Sequence, residues 1–289
     1  MMTPSASEVS TVGQPVEAQA GWRALASLPA LLHTHRHLLW EITKRDLADR
    51  YRGHALGLLW SVGHPLFLIG MYLFVFAVVF KAAVGGTLDY PRDYPTYLLA
   101  GLIPWMGFLE SMAAGCVSIT SNRNLVKQVI FPIEILPIKA ALTSLANQLI
   151  MTAVLFLYVF IRYRQLWPTA ALVPFLLAVQ CVAMIGVNYF LASVTVFLKD
   201  VTELVRVFNM AGLYLVPVVY LPQWVPDLVR PILYVNPFSH LIWCYQDLLY
   251  FGRLEHGWSW LVVSVLALVT LATGFWFFQR CKGMFANFV

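Results

Sequence analysis

The sequence predicts an all-α integral membrane protein. It has six transmembrane helices, an N-terminal interfacial amphipathic helix, and a re-entrant helical hairpin on the periplasmic, outer side between the fifth and sixth spans. Three observations carry that fold class. Of 289 residues, 60% are hydrophobic and 11% charged, more apolar material than the core of a soluble domain of this length requires. Several apolar runs exceed the roughly 18 to 20 residues that a helix needs to cross about 30 Å of hydrocarbon. They are too many and too long for a signal peptide, and the basic residues sort toward one side of them.

In chain order, residues 1–30 read as a disordered cytosolic tail, because "TPSASEVSTVGQP" is rich in Ser, Thr and Gly and lacks an apolar core. Residues 31–54 form the interfacial helix region. At 100° per residue Leu39, Trp40, Thr43, Leu47 and Tyr51 share one arc while Glu41, Arg45, Asp49 and Arg52 share another. Such a helix lies on a membrane surface, and its i,i+4 pairs Glu41–Arg45 and Arg45–Asp49 support it modestly. Residues 55–289 make the transmembrane domain, with spans expected at 56–80, 97–119, 136–161, 170–197, 205–220 and 258–278.

Between the last two spans, "LPQWVPDLVRPILYVNPFSHLIWCYQDLLYFGRL" is apolar but interrupted by Pro222, Pro226, Pro231 and Pro237. Its helical pieces of about a dozen residues are too short to cross. Broken helices survive at membrane depth only where protein or a wet cavity satisfies the freed backbone groups. The pattern predicts a re-entrant hairpin, with a surface loop dipping into the interface as the alternative.

With the N-terminus inside, the cytosolic ends hold thirteen of the 19 Lys and Arg residues. Six, namely Lys81, Arg92, Arg162, Arg164, Arg230 and Arg253, fall outside. The balance obeys the positive-inside rule. Arg162 and Arg164, in the outer turn "IRYRQLWP", oppose it and are expected to snorkel to head groups.

The stretch "SNRNLVKQVIFPIEILP", residues 121–137, carries nearly all the charge between two spans. Leu125, Val126, Val129 and Ile130 fall on one side and Arg123, Asn124, Lys127 and Gln128 on the other. Ser121 or Asn122 can cap the start and Pro132 blocks continuation. This predicts a two-to-three-turn amphipathic helix on the cytosolic side; a plain basic loop is the alternative.

Other constellations exclude more than they suggest. Cys116, Cys181, Cys244 and Cys281 lie far apart with no CxxC pair, so neither a disulfide framework nor a metal site is expected. Of His33, His35 and His37 only the first and last share a helix face, and no carboxylate or cysteine joins them. Glu110, the one acid well inside a span, either contacts a ligand directly or hydrogen-bonds in a helix interface or a wet cavity. There is no GxxxxGK[ST] loop, no HExxH and no GxSxG. The chain has no means of its own to hydrolyse ATP.

Five motifs carry a family resemblance: "RDLADRYRGHALGLLWSVGHPL", "YLLAGLIPW", "NRNLVKQVIFPIEILP", "FLKDV" and "LYVNPFSHLI", in that order from Arg45 onward. The chain resembles the membrane subunit of bacterial polysaccharide-exporting ABC transporters, of the ABC type-2 permease group. It departs from them in a longer N-terminal extension and in Glu110, where a small or neutral polar residue is expected.

The resemblance implies export of a lipid-linked polysaccharide, O-antigen first, with teichoic acid, capsule, drug or small-lipid export as alternatives. A membrane-embedded enzyme of lipid-linked sugars is the reading from another class. The resemblance further implies a homodimer in the bacterial inner membrane, both termini cytosolic, with two copies of an ATP-binding subunit that hold the ATP and Mg. No cofactor in this chain and no nucleic-acid partner are expected.

On that reading 121–137 contains the coupling helix, its partner-binding residues being Asn122, Arg123, Asn124, Lys127, Gln128 and Glu134. Lys44, Arg45, Arg50 and Arg52 gather positive charge at the inner head-group level for the cargo's pyrophosphate. Trp60, Phe67, Tyr72, Phe208, Tyr214, Tyr220, Trp224 and Tyr234 are the candidate aromatic lining of a pathway along which a hydrated chain slides over weak, similar contacts.

Overall fold

Proline, glycine and one capping aspartate set boundaries that hydropathy leaves open. The computed structural model describes residues 21–49, 60, 63, 66, 67, 70–72, 74–79, 91–127 and 131–288. Among these the regular structure is entirely helical. In order it comprises α1 (Gly21–Thr34), α2 (Arg36–Asp49), α3 (Tyr94–Val117), the single turn α4 (Arg123–Val126), α5 (Ile135–Tyr163) and α6 (Val173–Phe197). Then come α7 (Asp200–Ala211), α8 (Arg230–Val235), α9 (Pro237–Gln246) and α10 (Gly257–Phe288). Four helices, α3, α5, α6 with its 3-10 lead-in from Pro168, and α10, are long and apolar enough to cross a membrane. They match the second, third, fourth and sixth predicted spans. The first predicted span, 56–80, lies in part outside the described residues, which include its π-helical turn Phe74–Val79.

Helix α3 is central. Asp93 caps it, accepting from the Thr96 backbone N–H at 3.1 Å and its hydroxyl at 2.6 Å, with Pro95 in the first turn where no N–H is needed. Its most apolar window is 67% buried with mean hydropathy 1.3, against 28% and 2.2 for α10. A helix shielded by protein tolerates polar residues that a lipid-facing one does not, which is why the least hydropathic span is the innermost.

Helices α6 and α10 run against each other along their length. A Cβ on Gly274 would overlap the Gly186 carbonyl, and one on Gly186 would overlap the backbone of Thr270 and Leu271. In a membrane, where lipid is as apolar as leucine, such close backbone approach is a principal source of helix association.

Two expectations need correction. Residues 21–30, assigned to the disordered tail, are part of α1, because Leu28 is buried in one core with Phe275, Phe278 and Phe285 of α10. The fifth span is not one helix through residue 220: α7 ends at Ala211 and passes through a 3-10 turn, Gly212–Leu215, into non-helical backbone. Gly212 abuts Trp105 too closely for any side chain, and Pro217 offers no N–H to a helix ladder.

This segment nevertheless follows α3 along most of its length. Asn209 Nδ2 donates to the Leu109 carbonyl, Gly212 meets Trp105, Val218 meets Gly101, and the Val219 carbonyl accepts from the Tyr94 hydroxyl. The segment's freed carbonyls are taken by side chains: Pro217 by Tyr97 and Gln246, Tyr220 by Tyr97, and Leu215 by Asn236.

The chain after Val219 then returns part-way along α3. Phe238, at the start of α9, packs edge-on against Trp105 and Phe108, and α9 continues through a π-turn, Asp247–Phe251, to the Asp93 end. There Arg92 Nη1 donates to the Leu249 carbonyl and the Tyr250 hydroxyl to that of Arg92. Gly252, at φ 68°, ends the helix with its backbone against Trp167, a conformation and a clearance that suit glycine.

Candidate functional site

At the Arg123 end the basic stretch is shorter than predicted. A 3-10 turn, Thr120–Asn122, leads into the one-turn α4, tied down by Ser121 Oγ to the Val117 carbonyl and Asn122 Nδ2 to that of Ser118. Val126 is buried in the core that also holds Ile135 and Phe278, while Arg123, Asn124 and Lys127 are exposed and Asn122 is half-buried. Two faces therefore exist, on one turn; Gln128, Val129 and Ile130 lie outside the described residues.

Glu134 does not belong to that exposed face. It is 5% exposed, and its Oε1 accepts from Lys282 Nζ at 2.5 Å and from Gln279 Nε2 at 3.3 Å, both on α10. The Tyr189 hydroxyl of α6 donates to its carbonyl at 3.0 Å. The start of α5, just after the basic turn, is thus pinned to two other helices. The sequence places Lys282 on a cytosolic tail and gives no hint of this partner.

Of the head-group set, Lys44 is exposed on α2, and Arg45 is exposed and paired with Asp49 at 3.4 Å, as the i,i+4 spacing predicts. Arg50 and Arg52 lie outside the described residues. A further ion pair, Lys139 Nζ to Asp46 Oδ1 at 2.7 Å, fixes α2 against α5.

Inside the bundle, Glu110 Oε1 accepts from Asn147 Nδ2 at 2.8 Å, a bond between α3 and α5. Of the two roles open to Glu110, the structure displays the helix-interface one. Beside it, the amides of Gln148 and Gln180 are reciprocally bonded at 2.8 and 2.9 Å, and the Tyr245 hydroxyl donates to Gln180 Oε1 at 2.6 Å. Buried polar groups hold helices together only when their partners are met, and here one ring of bonds joins α5, α6 and α9. The signal that exposed Glu110, a polar residue in an apolar run, applies equally to Gln148 and Gln180.

The candidate lining aromatics do not form one wall. Phe208 packs with Trp105 and Phe238 at centroid distances of 5.9 and 5.6 Å. Tyr220 donates to the Tyr214 carbonyl, and Tyr72 packs against the main core. Trp60, Phe67, Tyr214, Trp224 and Tyr234 are about half exposed or more.

At the opposite, Asp93 end, Arg92 is 3% exposed and lies over the rings of Tyr163 and Trp167 at 4.9 and 5.0 Å. Burial pushes its guanidinium below its ordinary value, opposed in part by Tyr163 and Asp93. Arg162, its side chain 65% exposed, stands 3.8 Å from Asp93. Buried Asp247 accepts from the His256 backbone at 3.0 Å and Trp260 Nε1 at 3.2 Å, and pairs with His256 Nδ1 at 2.8 Å. These bonds close the loop from Gly252 onto α10.

The described residues thus present long apolar helices, an irregular segment sheathed by side chains, and an exposed two-faced turn at one end. The family model described as ABC-2 type transporter matches residues 37–250. The chain belongs to that family. Within it, this ABC-2 transporter chain is 28% identical over 260 residues to an O-antigen export system permease protein RfbA of Myxococcus xanthus, covering 89% of this chain and 96% of the relative. It is 27% identical over 256 residues to an O-antigen export system permease protein RfbA of Klebsiella pneumoniae, covering 86% and 94%. A second protein so named from Klebsiella pneumoniae is 24% identical over 255 residues, with the same coverage of 86% and 94%.

Proposed function

We propose that the chain is the transmembrane subunit of an ABC transporter that exports a lipid-linked polysaccharide, O-antigen in kind, across the bacterial inner membrane. The observation that carries this reading is its similarity, over 94–96% of their lengths, to permeases named for O-antigen export. Two copies assemble about a two-fold axis. In support, α7 leaves Leu204, Val207 and Met210, which share one face, between 62% and 76% exposed, and the 3-10 turn after it leaves Tyr214 69% exposed. Six spans result, the predicted 56–80 segment being the first and the predicted 205–220 segment, helical only as far as Ala211, the fifth. The stretch from Val219 to Leu249, which leaves and rejoins the same end of α3, is the re-entrant hairpin of the periplasmic side.

Two copies of a separate ATP-binding subunit dock at the Arg123 end, which is the cytosolic side on this reading. They bind the ATP and Mg, and the chain alone hydrolyses nothing. Exposed Arg123, Asn124 and Lys127 suit a polar groove, and buried Val126 transmits the groove's movement to the core shared with Tyr189 and Phe278. Lys44 and Arg45, with Arg50 and Arg52, receive the cargo's pyrophosphate. Of the aromatic set, exposed Trp60, Phe67, Tyr214, Trp224 and Tyr234 face the pathway in the dimer, while Tyr72, Phe208 and Tyr220 pack behind them against the core. Vesicles containing this chain and its ATP-binding subunit should move a lipid-linked glycan only when ATP is hydrolysed. Glycan transfer without ATP, or ATP-driven transfer of drugs and not glycan, would overturn the proposal.

A further inference from the structure

Helix α10 is longer than a membrane requires. Its 32 residues, Gly257–Phe288, contain no proline, and at about 1.5 Å per residue they measure about 48 Å against about 30 Å of hydrocarbon. Trp258, in the first turn, is 72% exposed and suits the outer head-group level. The excess therefore lies at the other end, where Gln279, Arg280 and Lys282 continue past the inner boundary. That end stands beside the proposed docking turn, since Phe278 and Phe285 share a core with Val126.

Both ends of α10 are bonded to other functional elements. At the inner end Lys282 Nζ and Gln279 Nε2 donate to Glu134 Oε1 at 2.5 and 3.3 Å, and Glu134 opens α5, the helix that follows the docking turn. At the outer end Ser259 Oγ is hydrogen-bonded to His240 Nδ1 at 2.9 Å, and Trp260 Nε1 donates to Asp247 Oδ2 at 3.2 Å. The first turn of α10 thereby holds α9 and the π-turn after it, the returning arm of the proposed hairpin. Between the two ends the approach of Gly274 to the Gly186 backbone locks α10 to α6, whose Tyr189 hydroxyl also reaches the Glu134 carbonyl at 3.0 Å. Helix α3 spans the same depth but contains Pro104, which supplies no N–H to the helix ladder.

We infer that α10, with α6 locked to it, is a rod that carries movement of the docking turn to the outer hairpin, and that Glu134 and Lys282 are the positioning residues that join turn to rod. The inference rests on the proposed docking of an ATP-binding subunit at the Arg123 end and adds the route from there to the other side of the membrane. An unbroken helix passes a displacement along its length as a body, and such rigid elements carry coupling between distant sites. The outer hairpin then responds in step with nucleotide at the inner face.

The test is hydrogen exchange, read by mass spectrometry, on the full chain with its ATP-binding subunit in nanodiscs, nucleotide-free and trapped with ATP and vanadate. Trapping should change exchange at 120–127, at 279–288 and at 221–235 in the hairpin. Glu134→Gln combined with Lys282→Met removes the link without stranding a charge. In that variant the change at 120–127 should persist, while those at 279–288 and 221–235 should each shrink by about twofold or more. Lys282→Gln, a milder change at a partly exposed position, should act in the same direction, and Lys282→Arg, which keeps the pair, should retain all three changes. A pair that only stabilises the fold would alter exchange equally in both nucleotide states and leave the differences intact; that result, or loss of the differences in Lys282→Arg, overturns the rod. A response at 120–127 with none at 279–288 in the unaltered chain overturns the rod alone. No response at 120–127 overturns the docking reading and the rod with it.

Discussion

Lys282→Met asks how firmly the last helix holds the start of α5. The carboxylate of Glu134 is 5% exposed and accepts from Lys282 Nζ at 2.5 Å, its other bond being to Gln279 at 3.3 Å. Methionine fills the same length and removes the charge, leaving a buried carboxylate with one long amide contact. Breaking a fully buried pair costs about 3 to 5 kcal/mol, and a hydrogen bond to a charged group contributes about 1.5 to 3 kcal/mol. The Lys282 side chain is 39% exposed, so water replaces part of what the ammonium supplies, and a loss of about 1 to 2 kcal/mol is expected. Thermal unfolding of the purified chain, followed by tryptophan fluorescence, should show a midpoint lower by about 2 to 8 °C. Adding Glu134→Gln to Lys282→Met removes the stranded charge and should recover at least half of that loss. A midpoint unchanged in Lys282→Met, or a double variant that loses the sum of both single losses, would refute the reasoning.

Changing Arg123 and Lys127 together to Glu should sharply reduce co-purification with the ATP-binding subunit while membrane insertion persists; unaltered co-purification would remove the docking assignment. Gly274→Val should lower stability by about 1 to 3 kcal/mol or more through collision with the Gly186 backbone, seen as a reduced unfolding midpoint, with Gly274→Ala milder. Arg92→Lys keeps the charge but loses the flat group held over Tyr163 and Trp167, and should cost about 1 kcal/mol in the same assay. An Arg92→Lys midpoint equal to that of the unaltered chain would show that charge alone matters there.

Four spans were legible because crossing a membrane imposes a length and an apolarity that can be counted residue by residue. The one-turn α4 was legible as a two-faced element but not in its extent. Val126 finds cover in the core while Lys127 already belongs to a turn, and nothing in the 3.6-residue pattern marks that limit. Tail and helix could not be separated around residue 21, since what orders α1 is Leu28 reaching the phenylalanines of α10, at the other end of the chain.

Glu134, which the resemblance placed among the partner-binding residues, is instead buried and bonded within the bundle. Its neighbours in sequence are those of a cytosolic turn; its neighbours in space are Lys282, Gln279 and Tyr189. The irregular backbone after Ala211 is similar. The prolines from 222 to 237 announced that helices must break there, but Pro217 lay inside the expected 205–220 span and was not read as a break; the need to satisfy freed carbonyls followed from the solvent. Composition and the period of hydropathy, both local quantities, determined by themselves that this chain is helical, lies in a membrane and breaks between its last two spans. Which tyrosine and glutamine would cover which carbonyl, which helix would be innermost and which acid would be paired depended on contacts between residues far apart in sequence. Only the packed structure decides those.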